Sequence, residues 1–114
     1  PLQSLTTLND PAFFDAARGL ARRVLQETPG DTQGAVTYAF RLCTARSPDG
    51  KELERLVKLF DQELEHFNRD AKAAKDVALG GSVKPPKDSD LARFAAWTIV
   101  ANVLLNLDET LTKG

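Results

Sequence analysis

Apolar residues recur along this chain with the 3.6-residue period of helices, and no stretch of useful length alternates as a strand would. Phe13, Ala16, Ala17, Leu20 and Val24 fall at i, i+3, i+4, i+7 and i+11, on one face of a helix that opens at Asp10-Pro11 and stops at Thr28-Pro29-Gly30. An aspartate before the first turn can accept free amides, and a proline at the first helical position gives up an N–H that would have no partner anyway. Upstream, Leu2, Leu5 and Leu8 recur every third residue and suggest a short helical lead-in. Asp31 or Thr32 caps a second helix with the stripe Val36, Ala39, Phe40 and Cys43, ending near Arg46. Ser47-Pro48 repeats the cap-then-proline signal. The third helix carries Leu53, Leu56, Val57, Phe60, Leu64 and Phe67 on one face and charge on the other. Its Glu54 and Lys58 form an i, i+4 pair worth about 0.3 kcal/mol. The alanine-rich residues 71–79 read as a fourth helix or a turn off the third.

Gly80-Gly81-Ser82 breaks the pattern, and residues 83–87, with Pro85-Pro86, form a loop. Asp88 or Ser89 then caps a final helix that runs to about Leu111. Its stretch from Phe94 to Leu107, FAAWTIVANVLLNL, is apolar on nearly every side, which implies burial on most sides. The run is shorter than the roughly 20 residues a bilayer span needs and contains two asparagines. The predicted fold is all-α: one domain over residues 1–114, a compact bundle of four to five helices with a mostly buried C-terminal helix.

Composition narrows the function classes. The chain has 114 residues, 42% apolar and 27% charged, as a globular domain does. A net charge of -1 offers no basic excess for nucleic acid and nothing for electrostatic membrane binding. Cys43 is the single cysteine, which excludes an internal disulfide and a multi-thiolate metal site. The first ten residues lack the charged and apolar regions of a signal peptide. The chain contains no Met and opens on an apolar stretch, so it reads as a fragment or processed product of a longer protein.

The candidate chemistry is polar and lies in the last helix. Thr98, Asn102, Asn106 and Glu109 form one narrow stripe, read as a solvent face, as a buried hydrogen-bond ladder between helices, or as a contact to a ligand or another domain. Asp108 and Glu109 are adjacent, so on a helix they point apart and make a poor acid–base pair. Near a helix C-terminus they want a cation, and Arg41 or Arg46 is the expected partner in a structural salt bridge. His66 reads as a surface residue and Cys43 as a small core residue. Trp97 reads as a core anchor, with sugar stacking as the lesser alternative. Gly80-Gly81 lacks the Lys-Ser/Thr of a phosphate loop. There is no CxxCH, so this segment attaches no c-type haem. No catalytic, cofactor-binding or metal-binding residue is assigned.

Three segments, PLQSLTTLNDPAF at residues 1–13, AFRLCTARSPDGKEL at residues 39–53 and AAWTIVANVLLNLDETLT at residues 95–112, resemble in order and spacing the C-terminal PSD1 (DUF1553) region of large planctomycete-type proteins. The resemblance runs the length of the chain, with residues 67–88 undistinctive. It implies a long, exported bacterial protein that often carries a planctomycete cytochrome c domain, with its haem motif, and a DUF1549 domain upstream. It also implies that Leu8-Asn9-Asp10 and Asn106-Leu107-Asp108-Glu109 belong to motifs typical of the family. The candidate polar cluster is therefore Asn9, Asp10, Arg41, Arg46, Asn102, Asn106, Asp108 and Glu109. The leading expectation is a non-catalytic helical module whose partners are other domains of its own chain, with an exposed apolar strip near Leu2, Leu5 and Leu8 or along the final helix. The alternatives are part of an enzyme site completed elsewhere, using Asn9, Asp10, Asn106, Asp108 and Glu109, and a small-ligand or carbohydrate binder using Trp97.

Overall fold

Aspartates set where the helices begin. The computed structural model describes residues 11–28 and 30–107, which form five α-helices and no strand. They are α1 (Pro11–Glu27), α2 (Thr32–Thr44), α3 (Gly50–Arg69), α4 (Ala71–Leu79) and α5 (Leu91–Leu105). The fold is all-α, as the periodicity predicts. Asp31 accepts the amides of Gln33 and Gly34, Asp70 that of Ala73, and Asp90 that of Ala92. Asp49 accepts from Glu52, whose carboxylate returns to the Asp49 amide and closes a reciprocal cap.

Two predicted caps are thereby corrected. Ser47 does not open α3, because three residues on it meets Gly50, which has no side chain to reciprocate; Asp49 meets Glu52. Neither Asp88 nor Ser89 caps α5. Asp88 sits at φ 63, a left-handed conformation that aspartate tolerates but a cap does not use, and the Ser89 hydroxyl donates to Pro86 O at 2.6 Å. Asp70 has two roles, since its amide closes α3 on His66 O while its carboxylate starts α4.

The centre is α5, which packs chiefly against α1, α3 and α4 and more lightly against α2. Ala92, Phe94, Ala95, Ala96, Trp97, Val100, Ala101 and Leu104 are all buried. The buried apolar positions of α1 are Ala17, Ala21 and Val24, and those of α4 are Ala74 and Ala78. Small side chains there let these helix backbones come close to α5. Phe40, Phe60, Phe67 and Trp97 fill the wider space toward α2 and α3. The Phe60 and Trp97 rings lie 4.8 Å apart, tilted by 34°. Fully burying each such large apolar side chain contributes about 1.5–3 kcal/mol. The predicted α1 face shifts slightly: Ala16 is exposed, and the seam runs through Ala17, Ala21 and Val24 with Arg18 beside it.

Helix α5 also stops earlier than the expected Leu111. The Asn106 side-chain Nδ2 donates to Asn102 O at 2.8 Å, taking the carbonyl that the Asn106 amide would use in a continuing helix. That amide turns to Val103 O instead, and the Leu107 amide to Leu104 O at 3.2 Å. Residues beyond 107, and the lead-in at Leu2, Leu5 and Leu8, lie outside the described residues. Among the described residues, no helix is long and apolar enough to cross a membrane.

Two substitutions test the local backbone accounting. Ala45 ends α2 at φ 64, where an L side chain is strained and glycine is not, so Ala45→Gly should stabilise by about 0.5–1 kcal/mol. Gly19 lies inside α1 with nothing within 4 Å of a built Cβ, so Gly19→Ala should stabilise by a similar amount, about 0.5–1 kcal/mol. Urea midpoints that rise with unchanged m-values would bear both out, and a fall in either would contradict the conformational assignment.

Candidate functional site

The described part of the polar stripe, Thr98, Asn102 and Asn106, is turned into the protein, which overturns its reading as a solvent face there. Thr98 is wholly buried and Asn102 is 3% exposed, while Asn106 is half-buried at the helix end. The Thr98 hydroxyl donates to Phe94 O at 2.8 Å. Asn106 Nδ2 donates both to Asn102 O and to Asn102 Oδ1, the latter at 3.0 Å. These bonds run along α5 itself rather than to a neighbouring helix. The Asn106 Oδ1 is buried without a hydrogen-bond partner. A buried amide oxygen left unpaired costs about 1–3 kcal/mol, so this atom is the polar feature of the stripe open to a further contact.

Arg46 lies in the turn between α2 and α3, over the face of Phe40 with its guanidinium 4.9 Å from the ring centroid. It grips Glu52 in a two-pronged pair, Nη1 to Oε1 and Nη2 to Oε2, each 2.9 Å. The turn beneath is tied by buried Thr44, whose hydroxyl donates to Phe40 O at 2.9 Å. This cation, with the Asp49 amide, lowers the Glu52 carboxyl to about 2. Arg41 is exposed instead. It lines a shallow hollow of about 580 Å³ on the outer face of α2 with Thr37, Tyr38 and Leu42. The structure thus joins Asn102 to Asn106, pairs Arg46 with Glu52 and leaves Arg41 facing outward. Asn9, Asp10, Asp108 and Glu109 lie outside the described residues.

The remaining candidates take structural places. Trp97 is 1% exposed, which removes the basis for a sugar-stacking role. The Cys43 thiol is half-buried and burial pushes it up, away from the reactive thiolate. His66 is exposed, its ring 5.0 Å from that of Phe67. Among the described residues, no three His, Cys, Asp or Glu side chains group as a metal site would require. Leu42 and Leu79, 41% and 45% exposed, are the exposed large hydrophobics of the described residues, so the described part of the final helix carries no such strip.

One polar constellation escaped the sequence reading. Arg18, 7% exposed on α1, donates from Nε to Val77 O at 2.7 Å and from Nη1 to Asp15 Oδ1 at 2.8 Å. Its guanidinium also lies over Phe14. The Ser82 amide donates to both Asp15 oxygens, at 3.1 and 3.2 Å. That amide, and then Arg18, hold the Asp15 carboxyl below its ordinary value. Gly81 makes the approach feasible, since a Cβ there would fall 1.9 Å from Asp15 Oδ1 and 2.2 Å from Arg18 Nη1. The available signals were an arginine flanked by core alanines and a glycine pair that no phosphate loop explained.

Two outcomes follow from this geometry. A carboxyl depressed in the folded state adds stability that is fully present above its unfolded value and disappears as pH falls, here from about 4.5 to about 2. The urea midpoint should fall across that window. Glu52→Gln, which keeps an oxygen for the Asp49 amide, should flatten the fall, and parallel curves for the two proteins would refute the pairing. Gly81→Ala should cost about 1–3 kcal/mol from overpacking, read from the same midpoints, and a neutral result would show that the turn does not sit against Asp15 and Arg18.

A model of the family described as PSD1, protein of unknown function (DUF1553), matches residues 1–60. That span takes in α1, α2 and α3 as far as Phe60, with the LND and FRLC motifs, and stops short of the NLDE motif. No curated protein and no solved structure matches the chain.

Proposed function

Because the chain belongs to the PSD1 family of proteins of unknown function (DUF1553), we propose that it serves as a non-catalytic helical module of a large exported bacterial protein, packing against other domains of its own chain. In this reading the setting is planctomycete-type and cytochrome c-associated, with any haem carried upstream. The observation that carries the proposal is the use of the polar groups. Asp31, Asp49, Asp70 and Asp90 cap helices, Asp15 and Arg18 fasten a loop, and Arg46 and Glu52 brace a turn. These side chains are committed to the fold, which supports a structural role for them. The hollow beside Arg41 and Leu42 is the surface we assign to a neighbouring domain.

A second reading, an enzyme site completed by other domains, is favoured by one atom. The buried, unpartnered Oδ1 of Asn106 stands at the head of the NLDE motif, where a donor from another segment would complete its bonding.

Hydrogen exchange on the intact gene product and on this 114-residue chain discriminates the two. The module reading expects residues 37–45 to exchange more slowly in the intact protein, together with a haem absorbance band. Identical exchange there, with slowing confined to the end of α5, would favour the second reading.

A further inference from the structure

Residues 80–90 join α4 to α5 and add no side chain to the buried core or to the partly buried side chains packed against it. Apart from Asp90, which caps α5, their fastenings run to α1. The Ser82 amide sits on Asp15, and Arg22 Nη1 donates to Lys84 O at 3.1 Å. Lys84 Nζ turns back onto Gly81 O at 3.2 Å. Gly80-Gly81 at one end and Asp88, at φ 63, at the other give the segment its turning points. Pro85-Pro86 stiffens what lies between.

A segment held by charge-assisted hydrogen bonds, with Val83, Pro85 and Pro86 only partly buried and outside the core, opens at a lower free energy than the core it borders. We propose that residues 80–90 form a strap that opens as a unit of its own, latched to α1 through Asp15, and that its release uncovers the buried Arg18 guanidinium while the helical core stays folded. Arg18 is the buried charged residue of the described chain, and its bond to Val77 O lies on α4, outside the strap. When the strap lifts, Arg18 therefore stays in place. Arg18 already lines a hollow of about 390 Å³ with Pro11, Phe14 and the glycine turn, and lifting the turn opens that hollow onto the guanidinium.

Native-state hydrogen exchange on the whole 114-residue chain tests the latch, with the amide of Ser82 reporting the strap and that of Val100, deep in α5, reporting global unfolding. In the unmodified protein Ser82 should be protected, but less than Val100. Asp15→Asn removes the ion pair and should speed Ser82 exchange about tenfold or more while Val100 changes far less. Asp15→Ala should release Ser82 further. Equal protection of the two amides, an unprotected Ser82 in the unmodified protein, or equal acceleration of both amides in the variants would each overturn the proposal.

Discussion

Helix α5 is apolar almost all round, and a helix of that kind is stable only when it is enclosed. Most of the other elements follow from that enclosure. Alanines line the buried faces of α1 and α4, so their backbones can approach α5 closely, and aromatic residues from α2 and α3 fill the wider gap. Because Trp97 and Phe60 meet inside this enclosure, the one tryptophan acts as a keystone of the fold. A truncation at either ring would open a void that the small neighbouring side chains are poorly suited to fill.

Enclosing α5 requires short connections, and polar chemistry is concentrated there. The aspartates at positions 31, 49, 70 and 90 satisfy amides that the first turns leave unpaired. At Asp70 one residue both ends α3 and begins α4, which sharply redirects the chain so that α4 can also reach α5. Arg46 and Glu52 brace the turn from α2 to α3, and Asp15 and Arg18 hold the turn after α4. The two arginine–carboxylate pairs thus fix two of the places where the chain reverses.

The family match covers the first half of the chain, whereas the most unusual helix lies in the second. The two halves are physically inseparable, because α1, inside the matched span, packs extensively on α5, outside it. The charged groups at positions 15, 18, 31, 46, 49, 52, 70 and 90 are engaged in the chain's own turns and caps. Asn106 stands apart from that economy: its amide nitrogen ends α5, while its oxygen remains buried and unmet.

The sequence by itself determined the all-α class, the places and order of the three amphipathic helices and the last helix, the break at residues 80–82 and the burial of the last helix; it left residues 71–79 open between a helix and a turn. Each of these rests on periodicity or on a local breaker, which neighbouring residues fully specify. Local chemistry also marked Cys43 and Trp97 as packing residues. Tertiary structure alone decided three matters. It sank Thr98 and Asn102 into the core, because whether a polar stripe meets water depends on which helices cover it. It chose Asp49 and Asp90 over their neighbours as caps, because that choice depends on backbone conformation and on a reciprocating partner. It also joined Asp15 to Ser82 and Arg18 to Val77 across 67 and 59 residues of chain, a distance at which no spacing rule operates and only packing against α5 brings the groups together.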